Sequence, residues 1–198
     1  MAAMPPPLRM RGFTMIELMV TIAVLAILMA IAAPSFTNVI RKNDVSAANN
    51  ALLADLSYAR TEAVNRHVTV SLCPSLTGNS CSSSTSYETG WIVYTYTPGS
   101  AVSNTDYDSS DDTNILLRST QAPKGVSIQA KSVTVVSFGQ QGQLKPNTPL
   151  AFEVCYRANG DTGTGASTMV VPGAHMDVSG SGSISTKKLD PKVGCIPT

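Results

Sequence analysis

An α+β fold is predicted, with one long N-terminal helix packed on an antiparallel β-sheet domain. Three observations predict it. From Phe13 to Ala33 the only charged residue is Glu17. Between Val45 and Ala63 apolar residues recur at steps of three and four, the period of one helix face. From His67 onward the chain turns to short β-type runs separated by Gly, Pro, Ser and Asn.

The apolar run comes first. At 1.5 Å per residue it makes a helix of roughly 31 Å, about the hydrocarbon thickness of a bilayer. A secretory signal peptide has a core of only about 7–15 apolar residues, so this run is too long for one, and Pro34 follows it directly. A plain single-span anchor explains the length but gives Glu17 no purpose. A carboxylate near the start of such a helix is costly in lipid and marks a functional residue.

The segment Gly12-Phe13-Thr14-Met15-Ile16-Glu17-Leu18 resembles the processing site of type IV pilins and type II secretion pseudopilins. The resemblance implies a leader over residues 1–12, cut between Gly12 and Phe13 by a prepilin peptidase, with N-methylation of Phe13. It also implies that Glu17 pairs with the α-amino group of Phe13 on a neighbouring subunit once the helix leaves lipid for a filament. A neighbour's amine there relieves a buried carboxylate whose isolation costs several kcal/mol.

Residues 13–34 are read as the transmembrane and filament-core helix, and residues 35–66 as its amphipathic half. Pro34 lacks an N–H and its ring clashes one turn back, so a bend or interruption is expected there. Val45, Ala48, Leu52, Leu56, Ala59 and Ala63 form the apolar stripe that packs on a sheet, with Asn49, Asn50, Asp55, Arg60 and Asn65 on other faces. The helix is expected from about Phe13 to Asn65.

Residues 67–198 form the β-rich domain. Expected strands are His67–Cys73, Trp91–Thr97, Ile115–Ser119, Val126–Ala130, Ser132–Phe138, Leu150–Tyr156 and Thr168–Val171. The passage from Tyr58 through Arg66 into Val68–Pro74, the Gly90–Tyr94 stretch and the later Phe138–Leu144 stretch are similar to the GspH/FimT/FimU group. The apolar helix and the late cysteine pair look most like a FimU-type minor pilin. That likeness implies a type IV pilin-like fold and a minor pilin that helps assemble or prime a type IV pilus for adhesion and twitching motility. A minor H-type pseudopilin of a type II secretion system and a DNA-binding pilin for uptake are the alternatives. The partners implied are other pilin subunits, the prepilin peptidase and the inner membrane, with the C-terminal domain in the periplasm.

Four cysteines, all beyond the apolar run, point to an oxidising compartment. Three pairings are possible. The favoured one is Cys73–Cys81, closing a short polar loop, with Cys155–Cys195, tying the C-terminus to a strand. By chain entropy these contribute roughly 2.6 and 3.9 kcal/mol. Cys-x-x-Cys spacing is missing, which argues against zinc.

The 14 basic and 13 acidic residues leave almost no net charge, and removing Arg9 and Arg11 with the leader takes the basic count to 12. No strongly basic face for nucleic acid is expected, since Lys187, Lys188 and Lys192 have Asp190 among them. Asp106, Asp108, Asp111 and Asp112 form a weak Ca²⁺ candidate without the EF-hand order, and a solvated loop is preferred. His67 and His175 lie in no metal spacing, and no Gly-x-Ser-x-Gly elbow occurs. No catalysis and no cofactor are expected.

Overall fold

The computed structural model describes residues 12–96, 103–112, 114–158, 160–161 and 163–197. The leader predicted over residues 1–12 lies outside them except for Gly12. The chain divides into two compact units, Met1–Val39 and Ile40–Thr198.

Helix α1 spans Met15–Arg66. Thr14 caps it. Its Oγ1 accepts from the Glu17 N–H at 3.3 Å, and its carbonyl accepts from Leu18 N–H. The helix ends at His67, whose φ of 55° puts it in the left-handed region that closes many helices. The interruption expected at Pro34 does not occur. One missing donor costs a single bond, and the intact ladder on either side carries the helix through.

In the second unit nine strands follow among the described residues: β1 (Val70–Pro74), β2 (Trp91–Thr95), β3 (Ile115–Thr120), β4 (Val126–Ala130), β5 (Val136–Phe138), β6 (Leu144–Lys145), β7 (Leu150–Tyr156), β8 (Ala174–Val178) and β9 (Ile184–Lys188). They form two antiparallel sheets where one was expected. One sheet has the order β3-β2-β1-β5-β6, the other β4-β7-β8-β9. Thr168–Val171, expected as a strand, is a turn. Thr168 N–H donates to the Val171 carbonyl, and Thr168 Oγ1 accepts from Val171 N–H at 2.8 Å. Its β-branched residues serve a tight local loop rather than a ladder.

The core lies where the sheets meet the amphipathic half of α1. Val45, Ala48, Leu52, Leu56, Ala59 and Ala63 are all buried there with Val70, Leu72, Val93, Phe138, Phe152 and Met176. Tyr87 meets Phe152 edge-on, with ring centroids 5.3 Å apart. A smaller cluster covers the other face of the first sheet: Cys73, Ile92, Tyr94, Tyr96 and Val135, with Cys81 and Tyr107 packed on it. That explains why β1 and β2 are buried on both faces instead of alternating.

Two polar anchors lock helix to sheets. Asp55, only 3% exposed, accepts from Trp91 Nε1 at 2.8 Å, Arg118 Nη1 at 2.6 Å and Thr120 Oγ1 at 2.6 Å. Arg118 also lies over the Tyr58 ring, 4.1 Å from its centroid. One turn on, Arg60 Nε donates to the Gly142 carbonyl at 3.0 Å and Nη2 to the Ser181 carbonyl at 3.4 Å. It thereby holds the β5–β6 and β8–β9 turns together.

Candidate assembly surface

In the first unit the helix carries a continuous apolar surface. Phe13 is 81% exposed and Ile16, Leu18, Val24, Leu28 and Ile31 are all exposed. By length and composition this stretch, of mean hydropathy 2.6, suffices to cross a membrane. Water does not tolerate such a surface, so lipid or other apolar helices must cover it.

Glu17 sits at the third helical position, three residues after the Thr14 cap. There the unpaired N–H groups and the helix dipole favour a negative charge. Its carboxylate is exposed and makes no contact with a basic group among the described residues. Thr14 is the functional residue that the sequence reading missed. The Thr-x-x-Glu spacing of a capping box was the available signal. Gly12, exposed and outside the helix, leaves the Gly12–Phe13 peptide accessible in an unwound segment.

Beyond the helix, the disulfides anchor the loops. Cys73–Cys81 has Cα atoms 5.6 Å apart, and Cys155–Cys195 6.0 Å. Tyr107 N–H donates to Cys81 Sγ at 3.2 Å. Tyr94 and Tyr96 hydroxyls both donate to the Thr105 carbonyl, so the small disulfide loop and these rings secure the start of the acidic loop. Burial, followed by the neighbouring Tyr96, pushes the Tyr94 phenol well above its ordinary value, so it stays a donor.

Asp108 Oδ1 accepts from Ser110 N–H at 2.8 Å and Ser110 Oγ at 2.6 Å, capping its own turn. Those two bonds hold the Asp108 carboxyl below the usual range. Among the described residues no three His, Cys, Asp or Glu side chains gather closely enough to hold a metal ion.

On the outer face of the second sheet, His175 lies between two carboxylates. Its Nε2 is 2.9 Å from Asp177 Oδ1 and its Nδ1 3.4 Å from the buried Glu153 Oε1. The hydrogen bond from His175, with burial opposing and Lys187 assisting, holds the Asp177 carboxyl below the ordinary value. Lys187 Nζ lies 3.6 Å from Asp177 Oδ2, so one of the three C-terminal lysines stands beside a carboxylate. His67 closes the helix.

The model for type II transport protein GspH matches residues 48–174, and that for the prokaryotic N-terminal methylation motif matches residues 8–33. Among solved structures, the chain is similar to the type IV minor pilin FimU of Pseudomonas aeruginosa in a P21 crystal form. The TM-score is 0.50 at 22% identity, over 75% of this chain and 95% of that one. In a P65 form of the same protein the TM-score is 0.48 at 22% identity, over 74% and 98%. The first of these likenesses shows a shared fold. No curated protein sequence matches the chain.

Proposed function

The chain belongs to the GspH family of type II transport proteins, and from that membership we propose that it is a minor pilin, a structural subunit of a type IV pilus rather than an enzyme. The leader over residues 1–12 is cut between Gly12 and Phe13, and the new N-terminus is methylated. Residues 13–34 then anchor the protein in the inner membrane, with residues 67–198 in the periplasm, where disulfides persist. During assembly the apolar helix exchanges lipid for neighbouring helices.

The observation that carries this reading is the placement of Glu17. It stands one turn into an exposed apolar helix, with no basic partner among the described residues. A filament core supplies the missing partner, the α-amino group of Phe13 on the adjoining subunit. Leaving the carboxylate unpaired there would cost several kcal/mol.

The test replaces Glu17 with Ala in the native host and measures the processed protein in membranes and in sheared filaments. Processing is expected to continue while filament incorporation falls at least about tenfold, as loss of a charged pair predicts. Normal filament abundance would refute the pairing.

The family description favours one second reading, a minor H-type pseudopilin of a type II secretion filament. Co-isolation with pilus or with secretion subunits separates the two. Uptake of DNA is not favoured, because Lys187 is committed to Asp177 and too few cations gather near it.

A further inference from the structure

The two ends of the second unit differ in kind. Beside Arg60 the turns are Gly139-Gln140-Gln141-Gly142 and Ser179-Gly180-Ser181-Gly182, both polar, as turns in water generally are. The other end lies about 28 Å back along α1, at Arg41. Arg41 stacks there on the Tyr156 ring, 4.8 Å from its centroid and next to the Cys155–Cys195 disulfide. The turn Thr168–Val171 at this end has an apolar tip, with Met169 84% exposed and Val170 half-exposed.

Buried Ser167 ties that turn to the C-terminal segment. Its N–H donates to the Val193 carbonyl, its carbonyl accepts from Lys192 N–H, and its hydroxyl donates to the Leu189 carbonyl. Val193 and Ile196 stand exposed on the same segment. Between this knot and the helix, Val45, Ser46 and Asn49 share an open cleft of about 300 Å³ with Pro172, Thr186 and Lys188. Asn49 is only 6% exposed, yet its Oδ1 has no hydrogen-bond partner among the described residues, and its Nδ2 reaches Thr186 Oγ1 at 3.5 Å. Four cations belong to this end, Arg41, Lys42, Lys188 and Lys192, against Asp44 and Asp190. Among the described residues none of the four is in an ion pair.

We propose that this end of the unit rests on the phospholipid surface of the bilayer that holds the helix, with Met169, Val170 and Ile196 among the headgroups. Apolar tips and basic side chains together supply the two forces of interfacial binding. A phospholipid headgroup also brings what the cleft lacks, a hydroxyl or ammonium donor for Asn49 Oδ1 and a phosphate for Lys188. The bilayer is within covalent reach. Arg41 lies eight residues beyond Ala33, where the apolar run ends, and eight residues span at most about 29 Å. A neighbouring subunit meets the patch only on assembly, whereas lipid is beside it from insertion onward. The proposal rests on the membrane anchoring read above but uses neither Glu17 nor the Gly12–Phe13 junction.

The test uses the full chain in its host, with photoreactive p-benzoylphenylalanine in place of Met169 or, as the control at the far end, of exposed Gln141. Isolated membranes are irradiated and the adducts identified by mass spectrometry. Expected is a phospholipid adduct at Met169, at least about tenfold above that at Gln141. Its yield should fall at least about tenfold in the Lys188→Glu, Lys192→Glu double variant and persist in the Lys188→Arg, Lys192→Arg variant. Asn49→Leu, which removes one acceptor, should lower it about fivefold. Unchanged Trp91 emission shows that each variant is folded. If the chain is in the membrane fraction and Met169 attaches to protein, to nucleic acid or to nothing, the proposal fails while the anchoring stands. A yield indifferent to charge reversal or to Asn49→Leu would also overturn it. Recovery of the chain only from the soluble fraction would remove the anchoring, and this surface with it.

Discussion

A single buried carboxylate shows how much of this fold depends on individual side chains. Asp55 gathers three donors, Trp91 Nε1 from β2 and Arg118 Nη1 and Thr120 Oγ1 from β3. Asp55→Ala therefore strands Trp91 Nε1 and the Thr120 hydroxyl and is expected to cost about 3 kcal/mol, discounted because Arg118 is half-exposed. The chain's one tryptophan is the hydrogen-bond partner, so its fluorescence reports the loss directly. Thermal unfolding followed at Trp91 checks it, and an unchanged midpoint would contradict the anchor.

Asp177 gives a pH prediction at the same scale. Its carboxyl is held below its ordinary value, first by the hydrogen bond from His175. A depressed carboxyl adds stability above its unfolded value and loses it as pH falls through its folded value. The loss therefore belongs below about pH 4. Asp177→Asn is expected to lower the neutral midpoint slightly and flatten that part of the acid limb, so that the two proteins converge at low pH. Midpoints measured across the acid range in both proteins decide it.

At the scale of elements, hydrophobic periodicity was readable and polar compensation was not. β4 and β7 fall on the residues expected, because Val126, Ile128, Phe152 and Val154 point to the core at period two. The stripe from Val45 to Ala63 likewise buries as its spacing implied. By contrast β8 and β9 were not foreseen. His175, Asp177 and Lys187 make these strands look polar, yet the three bond to one another across the outer face. β9 is an exposed edge strand whose lysines also keep other chains from pairing with it. β6 is only Leu144–Lys145, too short for any pattern.

The turns carry their own test. At Gly182, with φ 80°, a Cβ would lie 1.9 Å from the Gly142 carbonyl oxygen, beside the Arg60 bracket. Gly182→Ala must move backbone against backbone. It is expected to lose roughly 2 kcal/mol, about 4–8 °C in midpoint for a chain of this size. Gly163, whose Cβ would meet only the Asp161 side chain at 3.4 Å, serves as the control.

At the scale of the whole molecule, two kinds of surface divide the work. The second unit encloses its own core and is tied by two disulfides. The first unit presents apolar side chains that nothing in this chain covers among the described residues. The chain therefore reaches its working state only with lipid or with other subunits around it. The exposed apolar helix was legible because so long a run with a single charge stands out. The apolar patch around Met169 was not, since main-chain bonds and a disulfide gather it from residues distant in sequence and it leaves no local signature.

The most direct measurement is the intact mass and N-terminal sequence of the protein recovered from sheared filaments of the native host. The account predicts one species that begins at Phe13, carries one methyl group and retains both disulfides. A filament-borne protein that keeps residues 1–12, or starts beyond the apolar helix, would contradict it.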